Sequence, residues 1–425
     1  MKPPRSPRAE LPIRHARSPR FATTKTLTRL IAVVAAVVLV SGASLGAIAV
    51  NSLASQVTAN SVDISGGTGQ AIPHVGAFAG GFNVLIVGTD NDANQGDAFG
   101  ERDATLDDVN ILLHVSADQN GGVVVSFPRD LIVDHPQCTD PVSGQEFAAT
   151  YKQPLNTGFE RGGLACIKST LEKLTGLEIP YAGLISFNGV IAMTDAVGGV
   201  PVCLNEAVDD SNSGLDLPAG ISTVSGATAL QFLRTRDSIG DGSDLARISS
   251  QQQYLSSLVR TLKSANTLTD VTKLYALAQA AATNIKLSTS LASIDAMVSL
   301  ALALKDVDLN QLVFVQYPGT TGDADYPGKV VPSTDVADEL FAKITSDQPF
   351  SLGADSTGPG TSVATSDTPT PTSSAADGSG GASTDAAAPG DASTDAATPG
   401  DTPTVINGVT GQTAAEQTCT NGFGD

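Results

Sequence analysis

Residues 30–50 read LIAVVAAVVLVSGASLGAIAV, a run with no charged side chain. As a helix rising 1.5 Å per residue it is about 30 Å long, enough to cross the hydrocarbon of a bilayer. The residues before it carry eight Lys/Arg (Lys2, Arg5, Arg8, Arg14, Arg17, Arg20, Lys25, Arg29) against one acid, Glu10. A basic flank of this kind stays in the cytoplasm, so the bulk of the chain is expected outside. A cleaved signal peptide competes with this reading. Its support is the shortness of the most apolar part, 31–40, and the small residues at Ala47-Ile48-Ala49. Span length favours a retained, single-pass anchor in the cell membrane with the folded part extracytoplasmic. Both readings export the remainder of the chain.

Beyond the anchor, 16 basic residues face 43 acidic ones, within a formal net charge of −20 for the whole chain. No broad basic surface is available for nucleic acid, so that partner class is excluded. Export makes disulfides the expected state of Cys138, Cys166, Cys203 and Cys419. Four cysteines allow three pairings. Cys138 and Cys166 flank one loop region and are the first pair to expect. Cys203 and Cys419 would then pair with each other or stay free. There is no CxxC, and the four histidines (His15, His74, His114, His135) are scattered, which argues against zinc.

Short apolar runs at 82–88, 109–115 and 122–127 have the length and β-branched content of buried strands. The Asp118-Gln-Asn-Gly121 turn joins the last two as a hairpin. Helical patterns at 163–175, 188–197, 225–233 and 245–262 alternate with strands at 181–187 and 200–204. Two more helices near 268–282 and 291–304 precede a late strand at 312–316. Mixed strands and helices with hairpins predict an α/β fold, a three-layer α/β/α sandwich around a mixed sheet. After Phe350 the chain is nearly all Ser, Thr, Ala, Gly, Pro and Asp, including a tandem decamer at 381–400. Such a segment has too little apolar surface to offset its ordering entropy. The expected organisation is a cytoplasmic segment at 1–29, a transmembrane helix at 30–50, a stalk at 51–80, a catalytic domain at 81–350 and a disordered tail at 351–425. A small apolar patch at 405–411 has no assignment.

The chemistry concentrates in two places. Arg234, Arg236 and Arg247 lie within fourteen residues, interleaved with Asp237, Asp241 and Asp244 and followed by a glutamine run at 251–253. Guanidinium forks bind phosphate bidentately and keep their charge. Arg234 and Arg236 would share one face of an extended segment, and Arg247 and Gln251 one face of a helix. Arg129 follows the third strand directly after Pro128. Asp90 ends the first expected strand and Asp108 starts the second, so two carboxylates can meet at one sheet end. Oxygen donors without His or Cys suit a hard cation. The bland alternative is a set of turn acids, local ion pairs and a solvated helix face.

Six segments in order, however, resemble the LytR-CpsA-Psr family. They are Asn83-Val-Leu-Ile-Val-Gly-Thr-Asp90, Asp108-Val-Asn-Ile-Leu-Leu-His-Val115, Ser126-Phe-Pro-Arg-Asp-Leu131, Asn156 with Gly162-Gly163, Asp195-Ala-Val-Gly-Gly-Val-Pro-Val202, and Leu233-Arg-Thr-Arg with the following Asp-x-x-Arg-x-x-x-Gln-Gln. The resemblance covers about residues 80–350. It implies an extracytoplasmic α/β/α domain on one membrane helix. It also implies transfer of a glycopolymer from a polyprenyl (pyro)phosphate carrier to peptidoglycan, with Mg²⁺ (or Mn²⁺) and no ATP, the lipid lying in an apolar channel between sheet and helices. The family's metal aspartates fall on Asp90 and Asp108. Its phosphate-binding arginines fall on Arg129, Arg234 and Arg236, and its helix positions on Asp244, Arg247 and Gln251. Leu106 departs from the family, which often has arginine two residues before the second aspartate; Arg102 is the nearest substitute. A non-catalytic polyprenyl-phosphate-binding module and a lipid pyrophosphatase stay open as alternatives.

Overall fold

The computed structural model describes residues 20–64, 80–90, 107–264, 271–354, 356–364 and 403–423. Arg20–Ala59 form one helix, α1. Its stretch Thr26–Ala59 is long and apolar enough to cross a membrane. The folded unit runs from Ala54 to Asp425.

In chain order, that unit opens with strands β1 (Phe82–Thr89), β2 (Asp107–Val115) and β3 (Gly122–Phe127), an antiparallel meander. Helix α2 (Phe159–Thr175) returns the chain to β4 (Tyr181–Ser186), which pairs parallel to β1. Then come α3 (Phe187–Val197), β5 (Val200–Leu204), β6 (Gly220–Val224), α4 (Gly226–Arg234) and α5 (Asp244–Ser264). They are followed by α6 (Val271–Asn284), β7 (Ile285–Leu287), α7 (Ile294–Asp306), β8 (Leu312–Gln316) and α8 (Thr334–Thr345). Among the short strands after α8 are β9 (Thr361–Val363), β10 (Gly411–Thr413) and β11 (Thr418–Thr420). The central sheet has the order β7-β4-β1-β2-β3-β8-β10 and is mixed, with β1/β4 and β3/β8 parallel and the other pairs antiparallel.

Strand alternation sorts the side chains into two layers. Leu85, Val87, Leu112, Val125, Val313 and Val315 face one way and pack against Leu164, Ile167 and Leu171 of α2 and Leu340, Phe341 and Ile344 of α8. Ile86, Val109, Ile111 and Ile185 face the other way, toward α3, α4 and α5. The result is the expected three-layer sandwich.

Helix α5 is the unusual element. It is covered on two sides, by the central sheet and by a second sheet of order β6-β5-β11-β9. Its buried residues are largely polar: Arg247, Ser249, Ser250, Gln251, Gln252, Gln253, Ser256 and Ser257. Burial of such groups is tolerated because most are paired. Gln253 donates to the carbonyls of Cys203 and Thr418, Ser257 to that of Pro201, and Gln316 to that of Leu245. The polar glutamine run therefore works as a backbone-docking face, not a solvated one.

The fold extends beyond the expected limits of 81 and 350. On the early side, Val57 and Ile64 are buried, and Val62 hydrogen-bonds with Leu287 and Thr289. Part of the expected stalk is thus attached to the domain. On the late side, β10 completes the central sheet edge and β9 and β11 join the second sheet. A disulfide between Cys203 and Cys419 ties β11 to β5, and Cys138 pairs with Cys166. The apolar patch left unassigned supplies Ile406 and Val409 to the main core. The low-complexity stretch 365–402, with its decamers, lies outside the described residues.

Candidate functional site

Helices α3, α4 and α5 do not close fully on the sheet. Between them lies a cavity of about 410 Å³. Its walls include Ile86, Val109, Ile111 and Ile185 from the sheet, Val190 and Met193 from α3, Leu230 and Leu233 from α4, and Leu255 and Leu258 from α5. The same cavity is lined by Asp108, Arg129, Arg234, Arg236, Arg247 and Gln251. Six of the eight residues singled out in the sequence thus meet on one apolar cavity. Gly88 lies in its floor, where an added Cβ would stand 3.0 Å from the Val109 Cβ.

A break in the β1/β2 register brings Asp108 there. Gly88 pairs with Val109, but Thr89 pairs with Asp107, so Asp108 is an extra residue in β2. A bulge of this kind re-aims a side chain that alternation would send to the other face. Asp108 and its neighbour Val109 therefore both reach the cavity. Asp107, left on the buried side, is fully enclosed and accepts a hydrogen bond from Asn110 Nδ2 at 2.8 Å. Burial pushes its carboxyl up to about 8, against the Asn110 hydrogen bond and with help from the negative charges of Asp108 and Asp90. Asp90 is buried and does not line the cavity.

Arg129 is held by the turn that Pro128 starts: Leu131 N donates to the Pro128 carbonyl, and Asn156 N donates to the Arg129 carbonyl. Its guanidinium is shared among three acids. Nη1 donates to Asp108 Oδ1 at 2.7 Å, and Nε lies 3.5 Å from Asp130 and 3.8 Å from Asp244. Burial opposes its charge, but the Asp108 hydrogen bond and the charges of Asp244, Asp108 and Asp130 outweigh it and raise the pKa. Lys329 pairs with Asp130 from the neighbouring loop.

Helix α5 starts at Asp244 because the Ser243 hydroxyl accepts from Ala246 N, an N-cap bond. Asp244 in that first turn meets Arg247 Nη2 at 2.6 Å. Neither Asp244 oxygen forms an aligned hydrogen bond, so the contact is chiefly one of charge. Arg247 Nη2 also donates to the Asp108 carbonyl at 3.0 Å, and Gln251 Nε2 to that of Leu233 at 2.9 Å, which secures the end of α4. Arg234 stacks its guanidinium 4.7 Å from the Phe187 ring centre. Arg236 is 40% exposed and pairs with the equally open Asp237 at 3.2 Å, a weak partner in water. Asp244 thus sits beside Arg129 and Arg247 and holds those two.

Several neighbours were not singled out from the sequence: Asp107, Asp130, Phe187, Lys329 and Tyr254. The Asp-Asp pair at 107–108 was the available signal for the first. Tyr254 lines the cavity, yet its hydroxyl is buried with no hydrogen-bond partner among the described residues, and burial pushes its pKa up. Leu106 and Arg102 lie outside the described residues.

Among the described residues no three His, Cys, Asp or Glu side chains form a metal-ligand group. The donor set still suits a hard cation in kind, since Asp90 and Asp108 offer only oxygens. Mg²⁺ commonly takes only one or two carboxylates, with water and substrate phosphates filling the rest.

A profile of the LytR_cpsA_psr family matches residues 38–344. A protein of Corynebacterium glutamicum named cell wall biosynthesis protein LcpA is 31% identical over 322 residues, covering 69% of this chain and 60% of that protein. The polyisoprenyl-teichoic acid–peptidoglycan teichoic acid transferase TagU of Oceanobacillus iheyensis is 28% identical over 190 residues, covering 44% of this chain and 53% of that protein. The chain thus spans less than two thirds of the length of either relative. A crystal structure of protein gbs0355 from Streptococcus agalactiae superposes with a TM-score of 0.52 at 19% identity, covering 63% of this chain and 88% of that one. That likeness shows the shared fold.

Proposed function

The chain belongs to the LytR_cpsA_psr family, and on that basis we propose that it attaches a glycopolymer from a polyprenyl (pyro)phosphate carrier to peptidoglycan. One observation carries the reading: an apolar cavity lined also by Arg129, Arg234, Arg236 and Arg247. Such a site fits an amphiphile with a hydrocarbon tail and an anionic head. The name of TagU supports the same class of reaction, and that of LcpA a role in cell wall biosynthesis. The basic flank of α1 supports an extracytoplasmic site, on the side where peptidoglycan lies.

The reaction is a phosphoryl-group transfer. A hydroxyl oxygen of peptidoglycan attacks the phosphorus next to the sugar and forms a new P–O bond. The bond from that phosphorus to the bridging oxygen breaks, and polyprenyl monophosphate leaves with the electron pair. The hydroxyl proton passes to solvent or to the departing monophosphate oxygen, and the product is a phosphodiester. Arg236, open and weakly paired, and Arg234, stacked on Phe187, supply donors to the non-bridging oxygens. Arg129 and Arg247 supply fixed positive charge deeper in the site, held in place by Asp244. Gln251 keeps the Arg234 end of α4 in place. Asp90 and Asp108 are the residues that would hold Mg²⁺ (or Mn²⁺), which when bound offsets charge on the diphosphate.

The full chain in detergent, given a polyprenyl-diphosphoryl glycan, Mg²⁺ and peptidoglycan, tests this. Glycan on peptidoglycan with the native chain, and its loss in Arg236→Ala, is the expected result. Phosphate release without attachment would replace transfer by hydrolysis. Lipid binding with neither product would leave a binding module.

A further inference from the structure

We infer that residues 420–423, with Asn421 at their centre, position the arginine loop of the diphosphate site. This rests on the function proposed above and extends it to a segment the sequence placed in a disordered tail. The loop at 235–243 joins α4 to α5. It carries Arg236 at its start and delivers Asp244 and Arg247 at its end. Its first turn closes on itself, with Ile239 N donating to the Arg236 carbonyl at 3.2 Å. Its middle leans on the late segment. Gly240 N donates to the Asn421 carbonyl at 3.2 Å, and Ile239 forms an antiparallel bridge with Gly422. A Cβ on Gly242 would stand 3.1 Å from the Phe423 ring.

Asn421 is itself pinned from three directions. Its N–H donates to the Gly360 carbonyl at 2.9 Å. Its Oδ1 accepts from Asn205 Nδ2 at 2.6 Å and from Ser362 Oγ at 3.2 Å. Two residues earlier, the Cys203–Cys419 disulfide holds the same strand to β5. The fit is close: a Cβ on Gly240, whose φ is +52°, would lie 2.5 Å from the Gly360 Cα. Side chains above glycine are therefore barred from this contact, and the loop backbone takes its place from the late segments.

These contacts go to the loop between the phosphate-binding side chains and leave the apolar walls of the cavity untouched. Among the described residues Arg236 has only the exposed Asp237 to hold its guanidinium, so its backbone position decides where that charge stands. A displacement of about 1 Å in such a group is costly to binding and catalysis. Asn421 is thus a positioning residue.

The experiment measures binding of polyprenyl diphosphate and of polyprenol, which has the same tail and no phosphate, to the full chain in detergent micelles. Asn421→Ala removes the pinning oxygen; a second variant ends the chain at Thr420 and keeps the disulfide. Both are expected to weaken diphosphate binding about tenfold, the scale of one charge-assisted hydrogen bond, and to leave polyprenol binding unchanged. Asn421→Asp keeps the acceptor oxygen and should restore affinity. Arg236→Ala separates this inference from the one beneath it. If Arg236→Ala loses the preference for diphosphate while both late-segment variants retain it, the inference is overturned. Equal loss of both lipids in those variants, a sign of general loosening, overturns it too. If Arg236→Ala itself keeps the preference, the reading of the cavity as a diphosphate site falls instead.

Discussion

Replacing Asp244 by asparagine should weaken the fold while sparing the affinity of the site for an anion. Asp244 and Arg247 have side-chain exposures of 11% and 9%, and Arg129 has 25%. Removing one partner of a buried ion pair costs about 3–5 kcal/mol, because the other charge stays buried without compensation. Arg129 keeps Asp108 at 2.7 Å, and Arg247 keeps the Asp108 carbonyl at 3.0 Å. The Asp244 contact also lacks an aligned hydrogen bond. The loss therefore belongs at the lower end, about 3 kcal/mol. The chain has no tryptophan, so urea unfolding is best followed by far-ultraviolet circular dichroism. Adding Arg247→Met to Asp244→Asn should recover part of the loss, since an apolar side chain then replaces the uncompensated charge. Asparagine keeps the shape of the contact, and the Asp108 bonds still place Arg129 and Arg247, now with more free positive charge, so polyprenyl diphosphate binding should hold or tighten. A stability loss under about 1 kcal/mol in Asp244→Asn, or simple addition of losses in the double variant, would refute the reasoning.

Three further outcomes come from the packing. Cys203 and Cys419 are 216 residues apart, against 28 for Cys138 and Cys166. Loop entropy then gives about 5 kcal/mol for the first bridge and about 3.5 for the second, so Cys419→Ser should lower the urea midpoint more than Cys166→Ser. His135 is enclosed, contacting Thr170 Oγ1 and the Pro154 carbonyl, and burial lowers its pKa. The unfolded chain therefore binds this proton first on acidification. Stability present above about pH 6.5 should be lost as pH falls through the depressed folded pKa, and His135→Gln should flatten that slope. Tyr254→Phe removes a buried hydroxyl that has no partner among the described residues. It should leave the melting temperature unchanged or raise it, by up to about 1 kcal/mol of stability.

The sandwich was legible because its strands are short apolar runs and its helices carry clear stripes and glycine stops. The six motifs picked out Asp108, Arg129, Arg234, Arg236, Arg247 and Gln251, which the fold brings to one cavity. Asp90 and Asp244 were read as equals of these, but the fold sets both back from the cavity. The bulge that turns Asp108 toward it depends on the pairing of β2 with β1, a long-range fact that local pattern does not carry. The polarity of α5 left a solvated helix face open as an alternative. It is buried because two sheets cover the helix and its Gln and Ser side chains bond to their backbones. Residues 403–423 were hidden for a related reason. Composition averages over a window, and three-residue strands with a cysteine are lost beside a polar, low-complexity stretch. What fixes them is a disulfide and a sheet edge supplied from far away in sequence.

The most direct test is glycan transfer by the full chain with a polyprenyl-diphosphoryl glycan, Mg²⁺ and peptidoglycan, scored as glycan covalently bound to the wall polymer. The native chain should yield the phosphodiester-linked product with release of polyprenyl monophosphate, and Arg236→Ala should not. Equal transfer by both chains would contradict a site built on arginine recognition of the diphosphate.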